Sequence, residues 1–247
     1  MQPTGTESGW LMALKAELPM GVFNKLSRIS RLRKWQLFQE TFAPDEHTRI
    51  LDVGGEVSQG EESLQFLDLY PWKANLTTVN ISENHIKRIQ EKYPQIDARV
   101  GDACCLPWDD KCFDIVFSNA VIEHVGSAQK QKQMAEEIVR VGRQWFVTTP
   151  NRLYPFEFHM RLPFVTWLPF HGYLKFGRLI SYNHVKKKHA FGLRHENLRL
   201  MTAKELATCF PDSRIIKQKV TFMAETLIAI GPSSEIRTYD TDDSKEL

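Results

Sequence analysis

One short run constrains this chain more than any other segment: Arg49-Ile-Leu-Asp-Val-Gly-Gly55, which is apolar and ends in an acid and two glycines. Aliphatic and β-branched residues that stand together and stop at glycine are typical of a strand buried in a parallel sheet. Adjacent glycines let the backbone turn sharply and let a ligand approach the main chain. Because open α/β sheets bind ligands at the carboxyl ends of their strands, we expect Asp52 and Gly54 to contact a nucleotide-like cofactor.

Strands and helices are predicted to alternate along most of the chain after this run. The predicted strands cover residues 50–53, 75–81, 97–100, 112–118, 145–149, 214–220 and 222–230, and the helices between them cover 61–69, 82–92, 129–139 and 202–210. Short links imply right-handed crossovers, and the last two strands have so little chain between them that they must pair antiparallel. The sequence therefore predicts an α/β fold, with a doubly wound, mostly parallel seven-stranded sheet that ends in an antiparallel hairpin.

Three regions of different character surround or interrupt this pattern. Residues 1–46 are predicted to be an N-terminal helical region with a break around Pro19, and the sheet domain spans 47–231. Aromatic, proline and basic residues interleave between 151 and 199, which indicates a partly helical insertion that covers the ligand edge of the sheet. The acidic, polar residues 232–247 are expected to form a disordered tail.

Composition narrows the classes of protein that the chain can belong to. Its 247 residues are 42% hydrophobic and 25% charged, and the net charge of +2 does not require a nucleic-acid partner. No apolar run reaches the roughly 20 residues of a membrane-spanning helix, and no signal-peptide pattern opens the chain. The four cysteines lack metal-ligand spacing, so we expect reduced thiols, a cytoplasmic location and no bound metal.

Four further phrases stand at or after the ends of predicted strands. They are Gly101-Asp-Ala103, Leu106-Pro-Trp-Asp109, Phe113-Asp-Ile-Val-Phe-Ser-Asn-Ala-Val-Ile-Glu-His124 and Thr149-Pro-Asn151. With Asp52-Val-Gly-Gly55 they make residues 47–231 resemble the class I S-adenosylmethionine-dependent methyltransferases, in particular the small-molecule group with a methyltransferase-11-like domain. The resemblance implies a Rossmann-like fold, S-adenosyl-L-methionine as cofactor and S-adenosyl-L-homocysteine as product.

The resemblance assigns nine residues to the cofactor site. They are Asp52, Val53, Gly54, Gly55, Asn80, Ile81, Asp102, Ala103 and Asn119. By this resemblance the glycine pair lies against the amino-acid part of the cofactor. Asp52 would lie near the cofactor's ammonium group, and Asn119 would face its methionine portion.

The resemblance places the adenosine part at the next two strands. Asn80 would bind the ribose and Ile81 would pack on the adenine, while Asp102 would accept a hydrogen bond from the adenine amino group and Ala103 would supply a backbone amide. The sequence departs from the family pattern at two positions of the cofactor site. Glu56 stands where the family usually has a further glycine, and Asn80 stands where it usually has an acid. An amide oxygen still accepts from a ribose hydroxyl, but it lacks the charge-assisted part of the bond.

Methyl transfer needs an aligned donor and nucleophile and the exclusion of water, and it needs a base only where the nucleophile holds a proton of high pKa. His124 is the best-placed base because it follows the fourth strand and titrates near neutrality. Its neighbour Glu123 is a further catalytic candidate, and His159 and Glu157 of the insertion are second choices. The pair Glu123-His124 could equally be a helix start with a satisfied histidine.

The insertion is expected to select the methyl acceptor. Its aromatics could form an apolar acceptor pocket, or they could simply pack the insertion onto the sheet. The candidate acceptor-binding residues are Arg152, Phe156, His159 and Arg161. We expect a small-molecule acceptor methylated on oxygen or nitrogen, and a monomer or homodimer. The basic and aromatic residues are also suited to contact with an anionic membrane surface.

Three other functional interpretations compete with this one. A non-catalytic, methyltransferase-like binding or scaffold protein remains open, because the glycine loop and Asn80 depart from the family pattern. A nicotinamide-binding fold is disfavoured, since the full Gly-x-Gly-x-x-Gly fingerprint is absent. A nucleic-acid methyltransferase is also disfavoured, because such enzymes typically read Asn/Asp-Pro-Pro-aromatic where this chain reads Asn119-Ala-Val-Ile.

Overall fold

Strands and helices of the chain are known from a computed structural model, which describes residues 7–57, 64–157, 162–169, 180–183, 188–191 and 197–235; within these ranges the side chains of 7–24, 180–183 and 188–191 are not described. In chain order the strands are β1 (Ile50–Val53), β2 (Leu76–Asn80), β3 (Asp97–Val100), β4 (Phe113–Asn119), β5 (Gly142–Pro150), β6 (Phe156–Glu157), β7 (Leu162–Pro163), β8 (Ile180–Asn183), β9 (Lys188–Phe191), β10 (Arg214–Lys219) and β11 (Ala224–Gly231). The described α-helices are α1 (Glu7–Phe42), α2 (Phe66–Leu69), α3 (Glu83–Lys92), α4 (Ala128–Val141) and α5 (Ala203–Cys209).

The central sheet has seven strands in the order β10-β11-β5-β4-β1-β2-β3. The pairs among β1 to β5 are parallel, whereas β11 is antiparallel to both β5 and β10. This confirms the predicted mostly parallel sheet with its antiparallel hairpin. The carboxyl ends of β1, β2, β3 and β4 consequently meet at one edge of the sheet, here called the carboxyl edge.

Alternate residues of the buried strands pack on opposite faces of the sheet. Leu51 and Val53 of β1 join one buried cluster with Met134 of α4 and Leu206 of α5. Ile50 of the same strand joins a second cluster, which contains residues of α1, α2 and α3. A strand presents successive side chains to opposite faces, so helices on both sides are needed to cover β1. Burial of these apolar residues is the main stabilising contribution to the fold.

Helix α1 crosses one face of the sheet antiparallel to β4. The ring centroid of Phe38 lies 5.6 Å from that of Phe117 in the middle of β4. One turn earlier, Lys34 Nζ donates to Asn119 Oδ1 at the end of the same strand. Phe38 is fully buried, so this half of α1 belongs to the core of the sheet.

The predicted break around Pro19 is wrong, since α1 continues from Glu7 to Phe42. Proline removes one backbone hydrogen bond, but its φ is that of a helix, and a helix of this length tolerates the loss.

Local hydrogen bonds fix the starts of two helices. Thr202 and Glu205 form a capping box at the start of α5, with Thr202 Oγ1 accepting from the Glu205 amide. Ser127 caps α4 by accepting from the Lys130 amide at 3.1 Å. Of the helix predicted over 61–69, the structure describes residues 64–69, and the helical part of these is Phe66–Leu69.

The insertion predicted after β5 is described only in part. Its described residues form two short hairpins, β6–β7 and β8–β9, and a one-turn 3₁₀ helix at Val165–Trp167, and its partly helical character stays a prediction for the rest. Prolines within the segment restrict long helices and favour such turns. Within the described residues, no helix combines the length and apolarity that crossing a bilayer would require.

Candidate functional site

A cleft of about 660 Å³ opens at the carboxyl edge of the sheet. It is lined by Arg31, Asp52, Gly54, Gly55, Glu56, Gln65, Phe66, Val79, Asn80, Ile81, Gly101, Asp102, Ala103, Cys104, Phe117, Asn119, Ala120, Val121, His124, Val125, Lys130 and Asn197. All of the residues predicted to bind the cofactor line this cleft except Val53. The side chain of Val53 is 1% exposed and belongs to the core under the cleft.

The turn after β1 can be made only with glycines. Gly54 has a φ of +86°, and its amide donates to the Val79 carbonyl at 2.7 Å. A Cβ on Gly54 would lie 2.2 Å from Val121 Cγ2, and a Cβ on Gly55 would lie 2.1 Å from Thr78 Oγ1. These separations are far below a normal contact, so the two glycines keep open the space at this end of the cleft.

Asp52 is a buried acid that faces the cleft. Its side chain is 4% exposed, and among the described residues its carboxylate has no hydrogen-bond donor. Burial, with a smaller effect of the nearby Glu56 charge, raises the pKa of Asp52 to about 8. A buried carboxyl group ionises readily only when a cation comes near, so this end of the cleft suits a positively charged group of a ligand.

The asparagine that ends β2 has a structural reason to be an amide. Asn80 Nδ2 donates to the Gly55 carbonyl at 2.9 Å, and Asn80 Oδ1 accepts from the Ser82 amide at 2.9 Å. The side chain thereby links the glycine turn to the start of α3. An acid in this position could not donate to the Gly55 carbonyl, which accounts for the departure from the family pattern.

The second departure, Glu56, belongs to a small polar network at the rim of the cleft. Glu56 Oε1 accepts from Gln65 Nε2 at 2.6 Å, and Glu56 Oε2 lies 3.5 Å from His85 Nδ1. Gln65 itself stands at the start of α2, so Glu56 connects the glycine turn to two helices.

The far end of the cleft is open to solvent. Ile81, which lines the cleft, is 75% exposed, and its side chain offers an apolar surface to a flat ring. Asp102 is exposed, and its Oδ1 accepts from the Cys104 amide at 2.9 Å, which orients the carboxylate at the rim. Ala103 lies beside it in the cleft lining.

Lys34, which was not predicted, stands behind the buried end of the cleft. Its Nζ donates to Asn119 Oδ1 at 2.7 Å. Desolvation by burial, followed by the charge of Arg31, lowers the pKa of Lys34 to about 8. A sequence signal existed: Arg31 and Lys34 precede the buried Phe38 by seven and four residues, and so lie on the helical face that packs on the sheet.

The two predicted catalytic neighbours point in different directions. His124, at the end of a 3₁₀ turn formed by Ile122–His124, lines the cleft and its side chain is 44% exposed. Glu123 is fully buried, and its Oε2 accepts from Thr149 Oγ1 at 3.0 Å. His124 Nε2 and Glu123 Oε1 are 4.0 Å apart. His124 can therefore reach a ligand in the cleft, while Glu123 supports the turn from below.

Among the residues predicted to bind the acceptor, the two that the structure describes do not line the cleft. Arg152 is half-buried and its amide donates to the Met201 carbonyl, and Phe156 is half-buried in the β6–β7 hairpin. Glu157 is 1% exposed. His159 and Arg161 lie outside the described residues, so acceptor roles for this group stay predictions.

Large apolar side chains are exposed on the loop after β5 and on the β10–β11 turn. This set, here called the apolar edge patch, consists of Leu153, Phe164, Trp167, Leu168 and Phe222, which are 57%, 58%, 56%, 36% and 78% exposed. Trp167 Nε1 donates to the Leu153 carbonyl at 3.0 Å. Because Pro150 pairs with Thr226 near the start of β11, both loops lie at the carboxyl edge, on the same side of the sheet as the cleft.

Metal binding receives no support from the described part of the chain, where no three His, Cys, Asp or Glu side chains are grouped for a metal ion.

Comparison with known proteins gives the cleft a family context. Residues 51–144 match the family model described as a methyltransferase domain. A probable S-adenosylmethionine-dependent methyltransferase of Mycolicibacterium smegmatis is 29% identical over 75 residues, which are 30% of this chain and 29% of that protein. The match thus spans less than a third of that relative's length.

Solved structures resemble the whole sheet. An S-adenosylmethionine-dependent methyltransferase from Methanosarcina mazei aligns with a TM-score of 0.51 at 15% identity, covering 76% of this chain and 92% of that one. The YcgJ protein from Bacillus subtilis aligns with a TM-score of 0.51 at 17% identity, covering 76% of this chain and 70% of that one. At these identities the likeness concerns the fold.

Proposed function

Because the chain contains a methyltransferase domain with the Rossmann-like fold of class I enzymes, we propose that it transfers a methyl group from S-adenosylmethionine to an oxygen or nitrogen of a small-molecule acceptor. The observation that carries this proposal is Asp52. It is a buried acid without a described hydrogen-bond donor, beside a glycine turn whose space a single Cβ would fill. The cofactor brings an ammonium group to such an end, and its charge restores ionisation of the carboxyl group.

The residues present fit the rest of the cofactor. Ile81 offers an exposed apolar side chain to the adenine, and Asp102 offers a carboxylate oxygen at the rim. Asn80 supports the glycine turn through Gly55, while its second amide hydrogen and second oxygen lone pair remain available to a ribose hydroxyl.

Methyl transfer requires little from the protein beyond the alignment of the methyl donor with the acceptor. A lone pair of the acceptor attacks the methyl carbon, the bond from carbon to sulfur breaks, and its electrons stay on sulfur, so that the positive charge of the sulfonium disappears. Any proton released by the acceptor passes to a base. His124 lines the cleft and is exposed, so it is the residue placed to take this proton.

Isothermal titration with S-adenosylhomocysteine, the proposed product, tests the cofactor part of the proposal. Saturable binding of one molecule per chain is expected. Absence of binding at millimolar ligand would instead favour the alternative of a non-catalytic, methyltransferase-like binding protein.

The role of His124 is tested separately with His124→Gln. Methyl transfer should fall by about 10²-fold or more if the imidazole takes the proton, while affinity for S-adenosylhomocysteine stays within twofold. Unchanged turnover would show that His124 only closes the cleft or that the acceptor needs no base.

We also propose that the carboxyl edge contacts an anionic membrane surface. The apolar edge patch carries Trp and Phe side chains suited to a bilayer interface. Basic residues stand beside it: Arg33 Nη1 donates to the Lys219 carbonyl at 2.6 Å, and both residues are exposed. Such a contact would bring an amphiphilic acceptor to the side of the molecule where the cleft opens.

Sedimentation with phosphatidylglycerol vesicles tests this contact. Binding should be lost in Trp167→Ser/Phe222→Ser and weakened in Lys219→Glu, but kept in Lys87→Glu, a matched exposed lysine on α3. Absence of vesicle binding in the unaltered chain, or a dimer that the same substitutions dissociate, would contradict the proposal. The predicted cytoplasmic location and oligomeric state stay predictions.

A further inference from the structure

Asn119, at the end of β4, has its side-chain orientation determined by two donors. Its Oδ1 accepts from Lys34 Nζ at 2.7 Å and from Thr148 Oγ1 at 2.8 Å. A lysine ammonium has no lone pair, so the reverse orientation of the amide would place two donors against each other. The oxygen of Asn119 therefore faces the interior of the protein.

The amide nitrogen of Asn119 is the part left for a ligand. Asn119 lines the cleft, and its Nδ2 makes no hydrogen bond to any residue in the described ranges. Asn119 also lines a small void of about 20 Å³ behind the cleft, together with Arg31 and Lys34. The side chain of Asn119 thus stands between the cleft and the half-buried ammonium group of Lys34.

Asn119 lies next to the proposed ammonium site. Strands β1 and β4 are paired, with Asp52 opposite Phe117 and Val53 opposite Ser118, so Asn119 ends β4 one residue beyond the last paired position, where β1 passes into the glycine turn. Neighbouring strands are about 4.8 Å apart. The ammonium and carboxylate groups of one amino acid can therefore meet Asp52 and Asn119 together.

The electrostatic surroundings favour an anion at Asn119. Arg31 lines the cleft, and its charge is close enough to that of Lys34 to contribute to the lowered pKa of Lys34. The carboxylates of Glu123 and Glu225 act on Lys34 in the opposite sense, but more weakly than Arg31. A negative group on the cleft side of Asn119 is attracted by both cations, and the polarised amide N–H becomes a stronger donor.

We propose that Lys34 is a positioning residue that holds Asn119 as a hydrogen-bond donor to the α-carboxylate of the cofactor's amino-acid end. The inference rests on the proposed cofactor, and it divides recognition of that end between two strands: Asp52 takes the ammonium and Asn119 takes the carboxylate. Lys34 does not itself touch the ligand; it acts through the orientation and polarity of the Asn119 amide.

Two ligands that differ only in the carboxylate test this division. The first is S-adenosylhomocysteine, and the second is its decarboxylated counterpart, which keeps the ammonium, the sulfur and the adenosine. In Lys34→Met and in Asn119→Asp, affinity for the first should fall about tenfold, while affinity for the second changes by less than about twofold. Asn119→Asp keeps the contact with Lys34 but removes the N–H donor. This variant therefore tests the inference even if Lys34→Met folds poorly.

Lys25→Met is the matched control, because it makes the same substitution at an exposed position of the same helix. It should leave both affinities unchanged. Equal losses for the two ligands in Lys34→Met and Asn119→Asp would overturn the inference, and so would unchanged affinity for both. If the unaltered chain bound neither ligand, the proposed function itself would fail. If it bound both equally well, only the carboxylate site would be excluded.

Discussion

The two ends of the cleft are built in opposite ways. At the amino-acid end, Asp52 is buried, Gly55 leaves no room for a Cβ, and the half-buried Lys34 stands behind Asn119. At the adenosine end, Ile81 and Asp102 are exposed and the surface is open. The comparison indicates that charge and close packing select the ligand at one end, while a broad apolar surface receives it at the other.

Burial explains why the ends should respond differently to change. Electrostatic interactions are stronger and neighbours less mobile where water is excluded, so single-atom changes at the amino-acid end should be costly. At the exposed end, water can replace a lost hydrogen bond.

The largest effect is expected from Gly55→Ala. The added Cβ would lie 2.1 Å from Thr78 Oγ1 and 2.6 Å from Asp52 Oδ2, so Asp52 must move. Overpacking of this kind costs about 1–3 kcal/mol, and affinity for S-adenosylhomocysteine should fall about 10- to 100-fold. Calorimetric titration measures the loss, and Gly55→Ala/Thr78→Ala should recover part of it. Unchanged affinity in the single variant would mean that the turn is not tightly packed.

A pH dependence at the buried end should come next in size. The pKa of Asp52 is raised to about 8, so the neutral form predominates below that pH, and binding of a cation must release the proton. Between pH 8 and pH 6.5 the ionised fraction falls from about one half to about one thirtieth, and affinity should fall about 15-fold. Lys34 titrates over the same interval and gains charge as the pH falls, which offsets only about twofold of this loss.

Titrations of the unaltered chain and of Asp52→Asn across this interval measure the Asp52 contribution by difference. The variant should bind more weakly and should lack the steep fall. A parallel fall in both proteins would show that another group controls the pH dependence.

The smallest effect is expected at the exposed end, from Asp102→Ala. Loss of one solvent-accessible hydrogen bond to the adenine amino group should cost about 1 kcal/mol, or about fivefold in affinity. Asp109→Ala, the same change at another exposed position, should have no effect. S-inosylhomocysteine lacks the amino group, so it should bind Asp102→Ala as well as it binds the unaltered chain. If Asp102→Ala lost more affinity for S-adenosylhomocysteine than Gly55→Ala, the exposed end would contribute more to binding than the buried end, contrary to this comparison.

Much of the cleft lining could be predicted, because the positions of its residues depend on the order of the strands. The polar residues Asp52, Asn80, Asp102 and Asn119 each stand at or just after the end of a predicted strand. Parallel pairing then brings them to one edge whatever the details of packing. For the same reason the predicted seven-stranded sheet is confirmed with its terminal hairpin.

The differences between the predictions and the structure have equally local causes. Val53 was included with the cofactor residues, but strand alternation turns its side chain into the core. Lys34 was not among the predicted site residues, because only the close approach of α1 to β4 brings its ammonium group to Asn119. The acceptor candidates Arg152 and Phe156 lie on a loop and a hairpin, whose positions no periodicity predicts.

What the sequence by itself determined is the order of strands and the residues at their ends, because hydrophobic periodicity and turn residues act over a few positions along the chain. What only the tertiary structure decided is which of those side chains are free to meet a ligand. Asn80 is engaged with Gly55, Glu123 is turned inward, and Asn119 is oriented by Lys34 from a helix 85 residues away in the chain. Such orientations depend on contacts between distant segments, and desolvation at those contacts sets their charges.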